Sequence, residues 1–181
     1  MHKPIVIFLF SLLLLSACKS QGEDKEKIKE SLKEGENMQI KSNAFQSGRD
    51  IPSKYTCDGK NISPGLIIID APKQAKSFAL IMDDPDAPRG IFTHWVLWNI
   101  SGNTTEIKEN TSPGVQGKND FNKLGYGGPC PPSGTHRYVF KAYALDATLS
   151  LQQGSTKQQL ESAIKTHVLE SAELIGRYSR I

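Results

Sequence analysis

The sequence contains few of the features that mark the common enzyme and nucleic-acid-binding classes. Its 22 Lys and Arg residues against 19 Asp and Glu give a net charge of +3 without any basic cluster, which argues against nucleic acid as a partner. The HExxH pair of zinc hydrolases and the GxSxG elbow of serine hydrolases are both missing. We detect no internal repeat and no signature that indicates a cofactor.

The sequence has a single long apolar run, Ile5–Leu15, which is too short to form a stable membrane span. It is followed by Ser16-Ala17-Cys18, and small residues before a Cys form a lipobox. Residues 1–17 are therefore predicted to be a signal peptide, with lipid attachment (including palmitate) at Cys18. The alternative is an ordinary secretory signal with an incidental Cys. The lipobox predicts an exported lipoprotein, anchored to a membrane of a bacterial envelope.

Residues 18–37 combine the predicted lipidated Cys with a charged linker. From Glu23 to Glu36, Lys alternates with acidic residues, and only Ile28 and Leu32 are large and apolar. Such a stretch buries too little surface to offset its ordering entropy, so we interpret it as a solvated spacer. The remaining residues, 38–181, are long enough for one domain with an adequate core.

Cysteine is scarce, and after Cys18 only Cys57 and Cys130 remain. An even pair in an exported protein favours a disulfide. Closing a loop of this length would contribute roughly 4 kcal/mol on the chain-entropy model. The alternative is a pair of buried free thiols.

Strand patterns dominate residues 38–181. Short apolar or alternating runs, bounded by turns that contain Pro or Gly, predict an antiparallel β-sandwich and thus a mainly β fold with one or a few peripheral helices. The predicted strands cover residues 38–42, 66–69, 77–82, 92–100, 137–145 and 173–178. One helix is predicted after an N-cap at Ser155, because Leu160, Ile164 and Val168 recur at intervals of four.

Three short segments each place polar groups beside rigid or aromatic residues. They are Asp83–Pro88, which holds paired acids on a proline-stiffened turn, then Thr93–Trp95 and Gly134–Tyr138, which each hold a His in or next to a strand. A loop rich in Pro and Gly, Tyr126–Pro132, lies between the two His segments in sequence. Two imidazoles, two carboxylates and a rigid loop predict a small anion pocket.

These segments resemble the phosphatidylethanolamine-binding protein (PEBP) family, specifically its bacterial Raf-kinase-inhibitor-like branch. The resemblance covers roughly residues 38 to 181 and continues at Ile51–Gly59, Gly117–Phe121 and Ala172–Gly176. One departure follows Ser63-Pro64, where the family usually has a second proline and soon a tryptophan, and this chain reads Gly65-Leu66-Ile67-Ile68. The resemblance implies two packed antiparallel sheets with peripheral helices.

The resemblance also implies a set of ligand-binding residues: Asp84, Asp86, His94, Gly128, Pro131, His136 and Tyr138. In this set, Asp84 lines the pocket and Asp86 braces it. Residues two apart in a strand share a face, so His136 and Tyr138 can address one ligand while Arg137 faces away. No catalytic residue and no metal ligand is assigned.

The predicted ligand is a phosphate ester. Imidazole and phenol groups, together with the backbone N–H groups of Gly127 and Gly128, would donate hydrogen bonds to its oxygens, and histidine protonation would tighten binding below roughly pH 6.5. Asp84 would favour an amine on the same ligand or fix a histidine tautomer. The prediction is thus a non-enzymatic binding module for phosphate-bearing small molecules, lipid headgroups, or phosphorylated or acidic protein partners. The resemblance adds a kinase- or protease-inhibitor-like regulatory role.

Two enzyme hypotheses compete with the binding module. A metal-dependent hydrolase would use His94, His136 and either Asp84 or Asp86 as a two-His-one-carboxylate set. A serine hydrolase would use one of the histidines as its base, but no Ser stands out as its nucleophile.

Overall fold

The computed structural model describes residues 37–180, which form two antiparallel sheets and one α-helix. The strands are β1 Gln39–Ser42, β2 Leu66–Ile69, β3 Ser77–Asp84, β4 Phe92–Ser101, β5 Glu106–Ile107, β6 Val115–Gln116, β7 Thr135–Leu145 and β8 Val168–Ser179. The helix, α1, spans Lys157–Ile164, and a short 3₁₀ helix spans Ser53–Tyr55. The predicted mainly β sandwich is confirmed. The predicted signal peptide, the lipidation at Cys18 and all but the last linker residue lie outside the described residues.

The larger sheet has the strand order β6-β4-β3-β7-β8, and the smaller sheet has the order β1-β2-β5. Between them lies the main core, which includes Phe78, Trp95 and Phe140. A second, smaller core fills the space between the other face of the large sheet and α1. The large sheet is therefore covered on both faces, which explains why every residue of β3 is buried and why β3 reads as a continuous apolar run.

The helix differs from its prediction at both ends. Thr156, not Ser155, is the N-cap, and it forms a capping box with Gln159. The helix ends at Ile164, and Val168 begins β8 and pairs with Leu145 of β7. The spacing of Val168 at i+8 was thus misleading. Val168 is β-branched, and its pairing with β7 makes it the first residue of a strand and not part of a helix face. Among residues 37–180, no helix is long and apolar enough to cross a membrane.

Strand β4 contains a β-bulge. Trp95 pairs with Met82 and Thr93 pairs with Asp83, so one residue of β4, His94, has no counterpart on β3. A bulge changes the direction of a side chain relative to the regular alternation. In a regular strand His94 would point away from the face that Trp95 occupies, towards α1. The extra residue lets both side chains face the layer between the sheets.

Candidate anion-binding site

The ends of β3, β4 and β7 bring four of the predicted site residues together at one end of the layer between the sheets. Asp84 is the last residue of β3, His94 occupies the bulge in β4, and His136 and Tyr138 lie near the start of β7. All four are buried. The alternation of β7 places His136 and Tyr138 on one face, while Arg137 is exposed on the other.

Asp84 is the centre of a local hydrogen-bond network. Its Oδ2 lies 2.7 Å from Nδ1 of His136, and its Oδ1 accepts a bond of 2.9 Å from the backbone N–H of Asp86. The second contact is an Asx turn, which fixes the Asp-Pro-Asp segment. Because a carboxylate can only accept, Nδ1 of His136 carries a proton and Nε2 is the atom left for a ligand.

Asp86 braces the site and is not one of its buried groups. Its carboxylate accepts bonds from Nη2 and Nε of Arg137 at 2.6 and 2.9 Å, and one from the Arg137 backbone N–H at 2.9 Å. These bonds, above all those from the guanidinium, lower the pKa of Asp86 to about 2. The pair ties the turn after β3 to the start of β7, which supports the positions of Asp84 and His136.

His94 is held between an acceptor and a set of aromatic rings. Its Nδ1 lies 2.7 Å from the carbonyl oxygen of Gly127, so Nδ1 is the protonated nitrogen. The rings of Phe92, Phe121 and Tyr138 surround the imidazole at centroid distances of 5.1, 5.3 and 5.2 Å. Burial lowers the pKa of His94, although the Gly127 carbonyl and the Asp84 charge oppose that shift. The neutral ring therefore presents an unprotonated Nε2.

The hydroxyl of Tyr138 is a buried polar group without a hydrogen-bond partner among the described residues. Burial raises the pKa of the Tyr138 hydroxyl, and the Asp84 charge adds to the shift, so the group is a neutral O–H. It lies close to the Asp84 carboxylate and the Cys130 backbone but forms no hydrogen bond of good geometry with either. An unsatisfied buried donor costs roughly 1–3 kcal/mol. Such a cost is common where a side chain is kept ready for a ligand. The indole N–H groups of Trp95 and Trp98 are also unpaired within residues 37–180, and Trp95 shares the main core with Tyr138. Tyr138 differs in that its ring contacts the imidazole of His94.

The loop of residues 126–132 forms one wall, but its backbone N–H groups are already in use. The N–H of Gly127 donates to the His94 carbonyl at 2.9 Å, and that of Gly128 donates to Oδ1 of Asn61 at 2.7 Å. The expectation that these two groups bind the anion is therefore wrong. Gly128 is required for a different reason, because a Cβ there would lie 2.5 Å from the Tyr55 carbonyl oxygen. Pro131 is buried in the same loop.

A disulfide joins this loop to the segment after the 3₁₀ helix. Cys57 and Cys130 are bonded at an S–S distance of 2.11 Å, with their Cα atoms 5.4 Å apart. The backbone N–H of Cys57 also donates to the carbonyl of Pro129 at 3.1 Å, and the Tyr126 hydroxyl donates to the carbonyl of Tyr55 at 2.7 Å. Three independent contacts thus fix the loop that positions His94.

Two further residues that shape the site were not predicted as site residues. Asn119 is buried, and its side-chain amide donates to the Gly125 carbonyl at 2.9 Å while its oxygen accepts from Phe121 and Lys123. It therefore holds the loop that carries Phe121 against His94. The motif Gly117–Phe121 was visible in the sequence, but nothing in it indicates that Asn119 and Phe121 reach this site.

Residues 37–180 contain no group of three His, Cys, Asp or Glu side chains arranged to hold a metal ion. The two-His-one-carboxylate set of the hydrolase hypothesis therefore gains no support, because Asp84 already binds His136 and Asp86 binds Arg137. A separate groove of about 440 Å³ lies between β1 and β8, lined mainly by apolar side chains such as Met38 and Leu174. It does not include any of the predicted site residues.

The family model of phosphatidylethanolamine-binding proteins matches residues 41–179, and this chain belongs to that family. A UPF0098 protein of Methanothermobacter thermautotrophicus is 51% identical over 150 residues, which cover 79% of this chain and 99% of that protein.

Two solved structures share the fold. A PEBP homologue of Chlamydia trachomatis is 44% identical, with a TM-score of 0.79 over 81% of this chain and 100% of its own. Escherichia coli YbcL, described as a member of the mammalian PEBP family, is 29% identical, with a TM-score of 0.75 over 80% and 99% of the two chains.

Proposed function

We propose that this chain is a non-enzymatic binding protein whose pocket at Asp84, His94, His136 and Tyr138 takes a phosphate-bearing small molecule or lipid headgroup. The observation that carries the proposal is the buried, unpaired Tyr138 hydroxyl, whose ring contacts His94 and which shares a strand face with His136. A phosphate oxygen would supply the missing acceptor. Family membership suggests ligand binding without catalysis, and Asp84 would attract an amine on the same ligand.

The hydrogen bonds of the two histidines make binding depend on protons. Each Nδ1 donates to a protein oxygen, so each neutral ring offers the ligand only an acceptor at Nε2. A phosphate dianion has no proton to give such an acceptor. A hydrogen bond between either histidine and the phosphate therefore requires a proton, either on the imidazole or on the phosphate, whose second pKa is about 6, so binding is tighter when that proton is present. Because burial lowers the pKa of His94, its protonation begins below the ordinary value of 6.5.

The test is calorimetric titration with O-phosphoethanolamine, inorganic phosphate and ethanolamine at pH 6 and pH 8. We expect the affinity for both phosphates to be higher at pH 6, and to be higher for O-phosphoethanolamine than for inorganic phosphate at each pH. Repeating the titration in buffers with different ionisation enthalpies should show proton uptake. Ethanolamine alone should not bind measurably.

Matched histidine variants provide the control. His136→Ala should abolish binding, whereas His167→Ala should not change it, because His167 lies on the surface in a pair with Asp146. Flotation with vesicles of phosphatidylethanolamine or phosphatidylcholine separates a membrane headgroup from a free metabolite. Equal affinity at pH 6 and pH 8, or binding that survives His136→Ala, would refute the proposed site.

We further propose that the protein is exported, is anchored through a lipid on Cys18, and represents the bacterial Raf-kinase-inhibitor-like branch. The Cys57–Cys130 disulfide supports an oxidising compartment. Labelling cells with radioactive palmitate should mark the wild-type protein and not Cys18→Ser. A regulatory role would need a protein partner with a phosphorylated or acidic group, and competition by O-phosphoethanolamine would reveal one that uses this pocket.

A further inference from the structure

Residues immediately beside the site form a second polar network on the opposite face of the large sheet. Asp83 precedes Asp84 in β3, and Thr93 precedes His94 in β4, so both point towards α1. Oγ1 of Thr93 donates to Oδ1 of Asp83 at 3.1 Å, and Nζ of Lys157 donates to Oδ2 of Asp83 at 2.6 Å. Asp83 and Thr93 are buried, and only 13% of the Lys157 side chain is exposed.

This network is connected to the bulge at His94 through Thr93. Thr93 is the last residue in register with β3 before the extra residue, and its hydroxyl is bonded to its pairing partner. On the edge of β4 that faces away from β3, Thr93 forms two bonds with Asp120. The backbone N–H of Thr93 donates to Oδ2 of Asp120 at 2.7 Å, and the backbone N–H of Asp120 donates to the Thr93 carbonyl at 2.9 Å. A bulge disrupts the ladder locally, so these bonds replace the constraint that regular pairing would supply.

We propose that the chain Thr93–Asp83–Lys157 positions His94, and that Lys157 of the helix therefore acts on the site from the far face of the sheet. These three are positioning residues, since none of them reaches the pocket. Anchoring the helix alone would need only the ion pair. The bond from Thr93 to the same carboxylate is what connects the helix to the bulge. The inference rests on the proposed function only for its effect on ligand affinity.

The sharpest test is Thr93→Val against Thr93→Ser in the full chain, solubilised in detergent. Valine keeps the shape and removes the hydroxyl, while serine keeps the bond to Asp83. The chain has four histidines, so labelling them at ¹³Cε1 gives a simple spectrum for each titration. Thr93→Val should move the titration of His94 up towards the ordinary range, because a loosened bulge hydrates the ring. Thr93→Ser should match the wild type.

Lys157 provides the second arm. Combining Lys157→Met with Asp83→Asn removes both charges, which avoids leaving a buried carboxylate alone. We expect the His94 titration to shift in this double variant. The single variant Lys157→Arg, which keeps an ion pair with Asp83, should titrate like the wild type. Inorganic phosphate should bind about tenfold more weakly to Thr93→Val and to the double variant.

A matched control separates positioning from general destabilisation. Leu160→Ala removes an apolar contact from the same helix in the same core, without touching the polar network. It should lower the midpoint of thermal unfolding and leave the His94 titration unchanged. If Thr93→Val leaves the His94 titration at its wild-type position, or if Leu160→Ala moves it equally, the inference is overturned. If the wild type binds no phosphate, the proposed function fails, but the histidine spectra still decide this inference.

Discussion

Asp83 and Asp84 are adjacent in β3, and each is 4% exposed, yet they serve opposite faces of the sheet. Asp83 is bonded to the ammonium group of Lys157 and to the Thr93 hydroxyl. Asp84 is bonded to the imidazole of His136, in a cluster that also holds an unpaired Tyr138 hydroxyl. Equal burial of the same chemical group therefore does not distinguish structure from function. The surrounding groups do: the polar groups around Asp83 are bonded to one another, whereas the cluster around Asp84 keeps a hydroxyl that a ligand can bind.

The largest expected effect concerns the Cys57–Cys130 disulfide, which joins the loop beside the site to the segment after the 3₁₀ helix. Replacing both cysteines, Cys57→Ser with Cys130→Ser, opens a loop with a sequence separation of 73 residues and should lower the free energy of unfolding by about 4 kcal/mol. Urea denaturation measures this directly. Since the link joins the loop beside His94, phosphate binding should weaken as well. A loss below about 1 kcal/mol would show that the backbone bonds of the loop are sufficient alone.

On the helix face, Lys157→Met should cost about 3 kcal/mol of unfolding free energy, because it leaves the buried Asp83 carboxylate without a cation. We place the effect at the low end of the usual range since the lysine side chain retains some exposure. Adding Asp83→Asn to Lys157→Met should recover part of this loss, because it removes the unpaired charge, and urea denaturation of both variants measures the difference. If the double variant is no more stable than Lys157→Met, the buried charge is not the cause of the loss.

Tyr138→Phe should change the free energy of unfolding in the opposite direction. Removing a buried hydroxyl without a partner should raise the free energy of unfolding by up to about 1 kcal/mol, while affinity for phosphate falls. Tyr126→Phe is the matched control, because the Tyr126 hydroxyl is bonded to the Tyr55 carbonyl and its loss should destabilise the protein. If Tyr138→Phe lowers stability as much as Tyr126→Phe does, the Tyr138 hydroxyl has a structural partner after all.

The smallest expected effect concerns Asp86. Its pKa of about 2 lies below the ordinary value of 3.8, so the folded state favours the charged form and the stabilisation is present above pH 3.8. It should be lost as the pH falls from 3.8 towards 2. Because the ion pair with Arg137 is partly exposed, Asp86→Asn should cost below about 1 kcal/mol at pH 7. A comparison of the acid unfolding curves of Asp86→Asn and wild type would show whether the difference disappears at low pH.

The sequence predicted the sheets better than it predicted the site. Continuous apolar runs with turn residues on each side located β2 at Leu66–Ile69, with the same bounds as in the structure, and the centres of β3, β4 and β7. The motifs identified Asp84, His94, His136 and Tyr138, which the structure brings together. Periodicity could not show that the Gly127 and Gly128 N–H groups are already bonded, since their partners are 33 and 67 residues away.

Neither the end of the helix nor the role of Lys157 could be predicted from the sequence pattern. Val168 continues a helical spacing, but pairing with β7 decides its structure. Lys157 reads as an ordinary helix residue, and only the tertiary packing places it 2.6 Å from a carboxylate 74 residues earlier in the chain. Propensity and spacing describe local choices, whereas both of these outcomes depend on contacts across the fold.

The bulge in β4 has a consequence for codon deletions. Thr93 and Trp95 pair with adjacent residues of β3, Asp83 and Met82, so His94 is an extra residue between them. Deleting the codon for residue 94 would therefore leave Thr93 and Trp95 on their present faces of the sheet. Deleting the codon for a residue in regular pairing, such as Val96, would instead shift its neighbours to the opposite face. The imidazole of the site thus occupies a position that is extra to the ladder and leaves the faces of the neighbouring side chains unchanged.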